Sequence, residues 1–288
     1  MKKIAGVVLL VTFPFFFYQV FWPIKSSGEE ELFTVGIGEK EESFWGVKIQ
    51  EGGYYLNKNI SIWSKIAKFK NGPDLKWVKI LPGMRKEQIG EVVAKVFNRE
   101  VKNFGLTEGD YFEGVYYPDT YLIPVLETDE QIAKRLFSRF NEKMADLFPK
   151  FAEKNIKWTT GLKIASLIQR EAGGKDDMGI ISGVIWNRLD KGMALQIDAT
   201  AQYIKGKVDG NWWSHVNPAD LKIDSPYNNY LNKGLPPSPI CNPGIDAIEA
   251  ALNPEETDCL FYLHDSSRQI HCAKTYEEHL QNIEQYLR

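Results

Sequence analysis

The sequence predicts an α+β protein with an N-terminal transmembrane helix, a small α+β domain and a mainly helical C-terminal domain that includes a short β-hairpin. Three observations support this. An uncharged run occupies residues 4–22. Short aromatic-rich segments of alternating polarity dominate up to about residue 98, which is typical of strands. After Thr128 the apolar residues follow the helical period, and capping residues precede several of the segments.

The composition is that of an ordinary globular protein. The chain has 288 residues, of which 43% are hydrophobic and 25% charged, and its net charge is −3. This length allows two modest domains with real cores. The slightly acidic balance does not favour a nucleic-acid partner. The four histidines and three cysteines lack zinc-site spacing, and no Gly-rich phosphate loop occurs, so we expect neither metal nor cofactor.

The run Ile4–Trp22 is long enough to span a membrane, because about 20 apolar residues cross the hydrocarbon core. Lys2 and Lys3 precede it, so the positive-inside rule keeps the N-terminus in the cytoplasm and places the chain after Lys25 outside. We therefore expect a single-pass anchor of the plasma membrane in residues 1–25. A cleaved signal peptide is one alternative, although no small-x-small cleavage pattern follows the run. A buried soluble helix is the other, although Pro14 and the phenylalanine cluster disfavour it.

Residues 26–98 are expected to form a linker and the small α+β domain. The linker is the polar stretch "SSGEEE", residues 26–31. Strand-like alternation follows in "LFTVGIG" and "FWGVKIQEGGYYL", and a further strand is expected in "KWVKILPGM". Helical spacing marks "SIWSKIAKFKNG" and "RKEQIGEVVAKVFN".

Residues 99–158 are expected to connect this domain to the C-terminal domain, residues 159–288. The connection contains the aromatic segment "YFEGVYYPDTYLIP" and then a long amphipathic helix, for which Thr128 is the candidate N-cap. The candidate caps of later helices are Thr160, Asp176 or Asp177, Asp198, and the capping box Thr275-x-x-Glu278.

A β-hairpin is predicted by "CLFYLHDSSRQIHC", which begins at Cys259 and ends at Cys272. An exported chain meets an oxidising environment, so these two cysteines could pair across the strands. Free, partly buried thiols are the alternative. The third cysteine is Cys241.

One carboxyl in the C-terminal domain is a candidate proton donor. Glu171 ends an apolar helical segment and shares a face with Leu167. Apolar surroundings raise the pKa of a carboxyl, which would leave Glu171 protonated near neutral pH. Gly173–Gly174 end the helix and leave space for a ligand. The alternative is a helix-end glutamate paired with Arg170 or Arg188.

Two segments carry polar side chains that suit sugar hydroxyl and acetamido groups. The first, "NRLDKGMALQIDAT", contains Asn187, Gln196 and Asp198, although an N-cap role alone would also explain Asp198. The second, "SPYNNYLNKGLPPSPI", holds Tyr227 and Asn228 in a stiff proline frame, where aromatic faces can stack on sugar rings. A purely structural loop between two helices is the alternative.

In their order and spacing, four segments resemble the YceG-like endolytic murein transglycosylase family (MltG). They are "EGVYYPDTYLIP", "IASLIQREA", "VIWNRLDKGMALQIDAT" and "SPYNNYLNKGLPPSPICNPG". The agreement runs from about residue 50 to the C-terminus, and it implies a LysM-like glycan-binding subdomain before residue 98. The site residues that the resemblance implies are Glu171 as the catalytic acid, with Asn187, Gln196, Asp198, Ser225, Tyr227 and Asn228 in substrate binding.

The resemblance implies a lytic transglycosylase that cleaves the MurNAc–GlcNAc bond of nascent peptidoglycan strands and leaves 1,6-anhydroMurNAc ends. It also implies contact with peptidoglycan synthases at the outer face of the membrane.

The sequence departs from the family at Ala172-Gly173-Gly174, where a hydroxyl residue often follows the glutamate, and at Ser238, where glycine is usual. Two other functions therefore stay open. One is a lysozyme-like hydrolase with Asp198 or Asp119 as its second carboxylate. The other is a non-catalytic anchor that only binds the cell wall.

Overall fold

The computed structural model of the protein describes residues 24–25, 31–33, 54–55, 74–101, 104 and 113–288. The expected membrane helix, Ile4–Trp22, and the helix-like segment "SIWSKIAKFKNG" lie outside these residues. Within the described ranges, no helix is long and apolar enough to cross a membrane. The chain divides into two compact units, Met1–Trp77 with Leu122–Leu126, and Val78–Tyr121 with Glu127–Arg288.

The first unit contains a three-stranded antiparallel sheet. Strand β1 is Ile24–Lys25, β2 is Glu31–Phe33 and β3 is Tyr54–Tyr55, in the order β1-β2-β3. Strands β2 and β3 fall in segments with strand-like alternation. Lys25 pairs with Glu31, so the residues expected to form a linker join two paired strands.

The strand and helix expected before residue 98 are confirmed. Strand β4 is Leu75–Lys79 and forms a two-stranded sheet with β5, Thr120–Pro124. Helix α1 is Lys86–Phe97, and it buries Ile89 and Val93 on one face, as the apolar spacing predicts.

Most of the second unit is helical, which confirms a mixed α+β fold with a mainly helical domain. Its elements after β5 are α2 (Asp129–Met144), α3 (Leu147–Glu153), α4 (Trp158–Glu171), α5 (Met178–Asp190), α6 (Asp198–Lys205), a 3-10 turn (Asp220–Lys222), α7 (Ile245–Leu252), β6 (Phe261–His264), β7 (Ile270–Ala273) and α8 (Tyr276–Leu287).

Helix α4 is the centre of this unit, because it packs against α3, α5, α6 and α7. Leu162, Ile164, Leu167 and Ile168 are fully buried, so the helix is enclosed on more than one face. A methyl group added at Gly161 would lie only 2.2 Å from the ring of Phe151, which shows how closely α3 approaches. The C-terminal end of α4 therefore emerges from the core at a fixed place.

Two of the expected helix caps are confirmed. The hydroxyls of Thr128 and Thr275 each accept the N–H of the residue three positions later, in capping boxes. The cap at Thr160 is wrong, because α4 begins at Trp158, whose ring packs against Phe148 with centroids 5.6 Å apart. That aromatic contact favours a helix that starts three residues earlier than a cap at Thr160 would place it.

The caps expected at the aspartates are confirmed in position at one of them and wrong at the other. Asp177 is the N-cap residue of α5, but its carboxylate makes no capping hydrogen bond and instead accepts the N–H groups of Gly173 and Gly174. Asp198 is the first residue of α6, and Ile197 occupies the N-cap position. In both cases contacts from outside the helix engage the carboxylate.

The predicted hairpin is confirmed, with β6 and β7 antiparallel and Tyr262 opposite Cys272. Cys259 and Cys272 form a disulfide with their Cα atoms 5.8 Å apart. The link ties the segment before β6 to β7. Cys241 is a buried free thiol.

Candidate active site

Glu171 is the last residue of α4 and remains partly exposed although the helix around it is buried. Its carboxyl Oε2 accepts a hydrogen bond of 2.8 Å from the hydroxyl of Tyr262 on β6. Burial raises the pKa of Glu171 above its usual value, and the nearby negative charge of Asp198 adds to the rise. The Tyr262 hydrogen bond acts in the opposite direction. The balance favours a carboxyl that can hold a proton.

No arginine forms an ion pair with Glu171 among the described residues. The Arg170 guanidinium lies over the ring of Trp213, 3.9 Å from its centroid. Arg188 donates to the backbone carbonyls of Leu260 and Leu195 instead. Both arginines therefore have other partners, and the interpretation of Glu171 as a helix-end ion pair is not what the structure shows.

The negative charge of Asp198 is one cause of the raised pKa of Glu171, and a tyrosine binds Asp198. The hydroxyl of Tyr230 donates to Asp198 Oδ1 at 2.5 Å. Burial and the hydrogen bond to Asp198 raise the pKa of Tyr230 well above its usual value, so the hydroxyl keeps its proton. Each of the two carboxyls thus has a tyrosine hydroxyl as its donor, Tyr262 for Glu171 and Tyr230 for Asp198.

The segment before α6 turns its polar side chains outward. Leu195 and Ile197 are buried, whereas the alternate residues Gln196 and Asp198 are exposed. Gln196 adopts a left-handed backbone conformation with φ of +52°. Within the described part of the chain, its side-chain amide makes no hydrogen bond, so it is available to a ligand.

Asn229 holds this segment against the proline-rich loop. Its side-chain oxygen accepts the N–H of Ile197 at 2.9 Å and the hydroxyl of Thr200 at 3.0 Å. Its backbone oxygen accepts the N–H of Gln196 at 3.3 Å. Because Tyr230 is the next residue, these bonds also set the position of the hydroxyl that reaches Asp198.

Three residues of the loop are engaged within the protein. Asn228 is fully buried and donates to the carbonyls of Leu221 and Ile223. The Ser225 hydroxyl accepts the N–H of Tyr227 at 3.3 Å. The Tyr227 hydroxyl bonds to that of Ser238 at 2.7 Å, so the serine found where glycine is usual has a partner. These contacts shape the loop and leave little of Asn228 for a ligand.

Asn187 lies on another surface. Its amide donates to the carbonyls of Thr257 at 2.7 Å and Cys259 at 3.0 Å. It lines an open cavity of about 830 Å³ beside Trp186, and Glu171 is not among the residues that line this cavity. Among the predicted site residues, Asp198 is the one whose charge contributes to the raised pKa of Glu171, and Gln196 is the exposed residue two positions before it.

The hairpin residues near Glu171 were not among the predicted site residues. Tyr262 and His264 are alternate residues of β6, and strand alternation places them on one face. The alternation itself can be seen in the sequence of the hairpin. No sequence signal links the hairpin to Glu171, because Tyr262 and Glu171 lie 91 residues apart.

Comparison with known proteins identifies the family of this chain. The YceG-like family matches residues 24–285. The chain belongs to the YceG-like family. The endolytic murein transglycosylase of Bacillus subtilis is 36% identical over 205 residues, which cover 71% of this chain and 54% of that protein.

Other relatives agree with this membership. The endolytic murein transglycosylase of Streptococcus pneumoniae (strain D39) is 32% identical over 177 residues, 61% of this chain and 32% of that protein. The chain thus spans about half of the length of the first relative and a third of the second. A crystal structure of a yceG-like protein from Listeria monocytogenes matches with a TM-score of 0.63 and 27% identity, covering 80% of this chain and 84% of that one.

Proposed function

We propose that this YceG-like protein is a peptidoglycan lytic transglycosylase and that Glu171 is its acid and base. The observation that carries the proposal is a single carboxyl of raised pKa at the end of a buried helix, with one oxygen held by Tyr262. Relatives at 32% and 36% identity named endolytic murein transglycosylases support the substrate class.

In the proposed reaction, protonated Glu171 donates its proton to the glycosidic oxygen between N-acetylmuramic acid and N-acetylglucosamine. The C1–O bond breaks, and the C6 hydroxyl of the muramic residue attacks C1. The carboxylate of Glu171 takes the proton from that hydroxyl. The product carries a 1,6-anhydro ring, and no water is consumed.

One acid/base group suffices because the nucleophile belongs to the substrate. An ordinary glycosidase needs a second carboxylate to activate water or to attack carbon. An intramolecular hydroxyl is already present at high effective concentration. Tyr262 donates to Oε2 of Glu171, so it stabilises the carboxylate formed after the first proton transfer and leaves Oε1 for the substrate.

The exposed polar groups of the segment before α6 are the proposed glycan contacts. Gln196 and Asp198 are exposed, the charge of Asp198 acts on Glu171, and Tyr230 donates its hydroxyl to Asp198. Ser225, Tyr227, Asn228 and Asn187 are proposed to act by shaping the loop and the α5 region, because their polar groups are engaged within the protein.

The same geometry separates the two carboxylates considered for a hydrolase. Asp119 forms an ion pair of 2.8 Å with Arg139, and it is not among the charges that shift the pKa of Glu171. Asp198 is among them. If the protein were a lysozyme-like hydrolase, Asp198 would therefore be its second carboxylate.

For the remainder of the chain, we propose the arrangement that the sequence suggests. Residues 1–25 anchor the protein in the plasma membrane with the N-terminus in the cytoplasm. Residues 26–98 contain a LysM-like glycan-binding subdomain, residues 99–158 connect it, and residues 159–288 form the catalytic domain outside. A short tether would keep the site near nascent strands and their synthases. The uncharged run Ile4–Trp22 supports this arrangement.

The test uses the full-length protein in detergent with uncrosslinked glycan strands, and mass spectrometry of the new ends. We expect anhydro ends from the wild type and none from Glu171→Gln. Asp119→Asn is the matched carboxylate control and should retain activity. Reducing ends lost in Asp198→Asn would show a hydrolase instead, and binding without cleavage would show a wall-binding anchor.

A further inference from the structure

The turn that follows Glu171 is held by a buried carboxylate. Asp177 is 7% exposed, and its Oδ2 accepts the N–H of Gly173 at 2.8 Å while its Oδ1 accepts the N–H of Gly174 at 3.2 Å. Ala172, the C-cap of α4, is extended, so the chain leaves the helix directly after Glu171. These two bonds fix the backbone within three residues of the proposed acid.

The same carboxylate also reaches the hairpin. His264 Nε2 lies 2.6 Å from Asp177 Oδ2. An ionised carboxylate can only accept, so Nε2 must carry the proton in this contact. Asp177 therefore joins the turn after α4 to strand β6.

His264 in turn contacts the residue that binds Glu171. The rings of His264 and Tyr262 meet edge to face, with centroids 6.1 Å apart and planes at 77°. The Tyr262 hydroxyl donates to Glu171. Asp177 thus hydrogen-bonds both to the Gly173–Gly174 turn, which follows Glu171, and to His264. The His264 ring packs against Tyr262, and Tyr262 donates to Glu171.

Asp177 and His264 leave little space for a side chain at Gly173. A Cβ atom at Gly173 would lie 3.2 Å from Asp177 Oδ2 and 3.5 Å from the His264 ring. Glycine at this position lets the backbone approach both groups. Without these contacts, the hydrogen bond from Tyr262 alone would set the orientation of the Glu171 carboxyl.

We propose that Asp177 is a positioning residue for Glu171, acting through the Gly173–Gly174 turn on one side and through His264 and Tyr262 on the other. The inference rests on the proposed function. Asp177 makes no hydrogen bond to Glu171 itself, so its effect is on geometry. Small displacements of a reacting group are costly, since about 1 Å can reduce a rate about 100-fold.

The first experiment measures kcat and KM of the full-length protein on glycan strands for Asp177→Asn and His264→Ala. We expect kcat to fall about tenfold in each and KM to stay within about twofold, because the substrate contacts are intact. His264→Gln keeps a hydrogen donor for Asp177 and should recover most of the lost rate.

The hairpin offers a matched control. Asp265 and His271 form a second carboxylate–histidine contact, with Oδ2 and Nε2 2.9 Å apart, near the turn between β6 and β7. Asp265→Asn removes the same charge and the same type of contact without touching the turn after Glu171. Its kcat should stay within about twofold of the wild type. An equal loss in this variant would overturn the inference.

A double-mutant cycle separates positioning from general stability. If His264 acts through Tyr262, then His264→Ala should cost much less in a Tyr262→Phe background than in the wild type. Additive losses in kcat, or a loss confined to the melting temperature, would contradict the inference.

A readout independent of turnover distinguishes this inference from the proposed function. The carboxyl carbon of Glu171 can be titrated by NMR in the full-length protein. The charge of His264 itself lowers the pKa of Glu171, so the uncharged variant His264→Gln decides. We expect the pKa to rise in His264→Ala, to return in His264→Gln, which restores the contact with Asp177, and to stay unchanged in Asp265→Asn. A wild type without anhydro ends would contradict the proposed function alone. An unchanged titration in His264→Ala, or a rise that persists in His264→Gln, would contradict the positioning role.

Discussion

Two glutamates of the second unit, Glu171 and Glu113, differ in a way that separates a candidate acid from a structural carboxyl. Burial raises the pKa of both, in the case of Glu113 to about 8. A raised pKa alone would therefore nominate either residue. The difference lies in the groups around each carboxyl and in their access to solvent.

Glu113 is enclosed by donors. It is 3% exposed, and its two oxygens accept the N–H of Lys86 at 2.9 and 3.2 Å. Asn242 donates to Glu113 Oε1 at 2.6 Å. The same Asn242 accepts from the N–H groups of Gly114 and Tyr116. Glu113 thus belongs to a joint that ties the start of α1 to the segments around residues 114 and 242.

Glu171 has one hydrogen-bond donor in the described structure, Tyr262, and keeps part of its surface exposed. Its second oxygen is free to meet a substrate. The comparison teaches that a perturbed pKa marks a functional carboxyl only together with access and an unused oxygen. Three predictions test this difference.

The largest expected effect is on turnover. Glu171→Gln should reduce the rate of anhydro-end formation about 1000-fold, in the range for loss of a general acid. Glu113→Gln should stay within about threefold of the wild type, because glutamine can accept the same N–H groups. Rates are measured on identical glycan strands. A comparable loss in both variants would remove the distinction between the two residues.

The second effect is on stability and its dependence on pH. The folded-state pKa of Glu113 is raised to about 8, so the folded protein binds one proton more than the unfolded chain between pH 5 and pH 8. The stabilisation from Glu113 is then complete below its unfolded pKa and is lost as the pH rises through about 8.

Relative to Glu113→Gln, the free energy of unfolding of the wild type should fall by roughly 3 kcal/mol between pH 5 and pH 8. Urea unfolding at several pH values measures this difference. A difference that does not change with pH would mean that the three hydrogen bonds from Lys86 and Asn242 keep Glu113 ionised.

The smallest effect concerns the single donor to Glu171. Tyr262→Phe should lower kcat about tenfold, which is about 1.4 kcal/mol, because the carboxylate loses one hydrogen bond. The same bond lowers the pKa of Glu171, so its removal raises that pKa.

The proposed reaction requires protonated Glu171, and its rate is therefore expected to fall as the pH rises through the pKa of Glu171. The alkaline limb of the kcat profile should move to higher pH in Tyr262→Phe. A limb that moves to lower pH would show that Tyr262 does not donate to Glu171 during turnover.

Several features of the fold were predictable because they depend on neighbouring residues. The apolar spacing predicted α1 and α2, and the capping boxes placed the start of α2 and α8. The alternation between Cys259 and Cys272 predicted the hairpin. Glu171 was identified as the end of a buried helix. Each signal extends over one or two turns or a pair of strands.

Other features were not predictable because tertiary contacts overrode the local signal. Thr160 is a good N-cap residue, yet packing of Trp158 starts α4 earlier. Asp177 binds a turn and a histidine 87 residues away instead of capping α5. Asn228 looked like a sugar ligand but is buried as a support of its own loop.

The sequence by itself determined helices α1 and α2, the hairpin, the position of one carboxyl at the end of an apolar helix and the motifs that identify the family, since periodicity, capping and motif order are properties of the chain. Only the tertiary structure decided which groups meet that carboxyl. Tyr262 donates to Glu171 and the Asp177–His264 pair holds the turn that follows it, and hydrogen bonds between distant segments form only when packing brings them within about 3 Å.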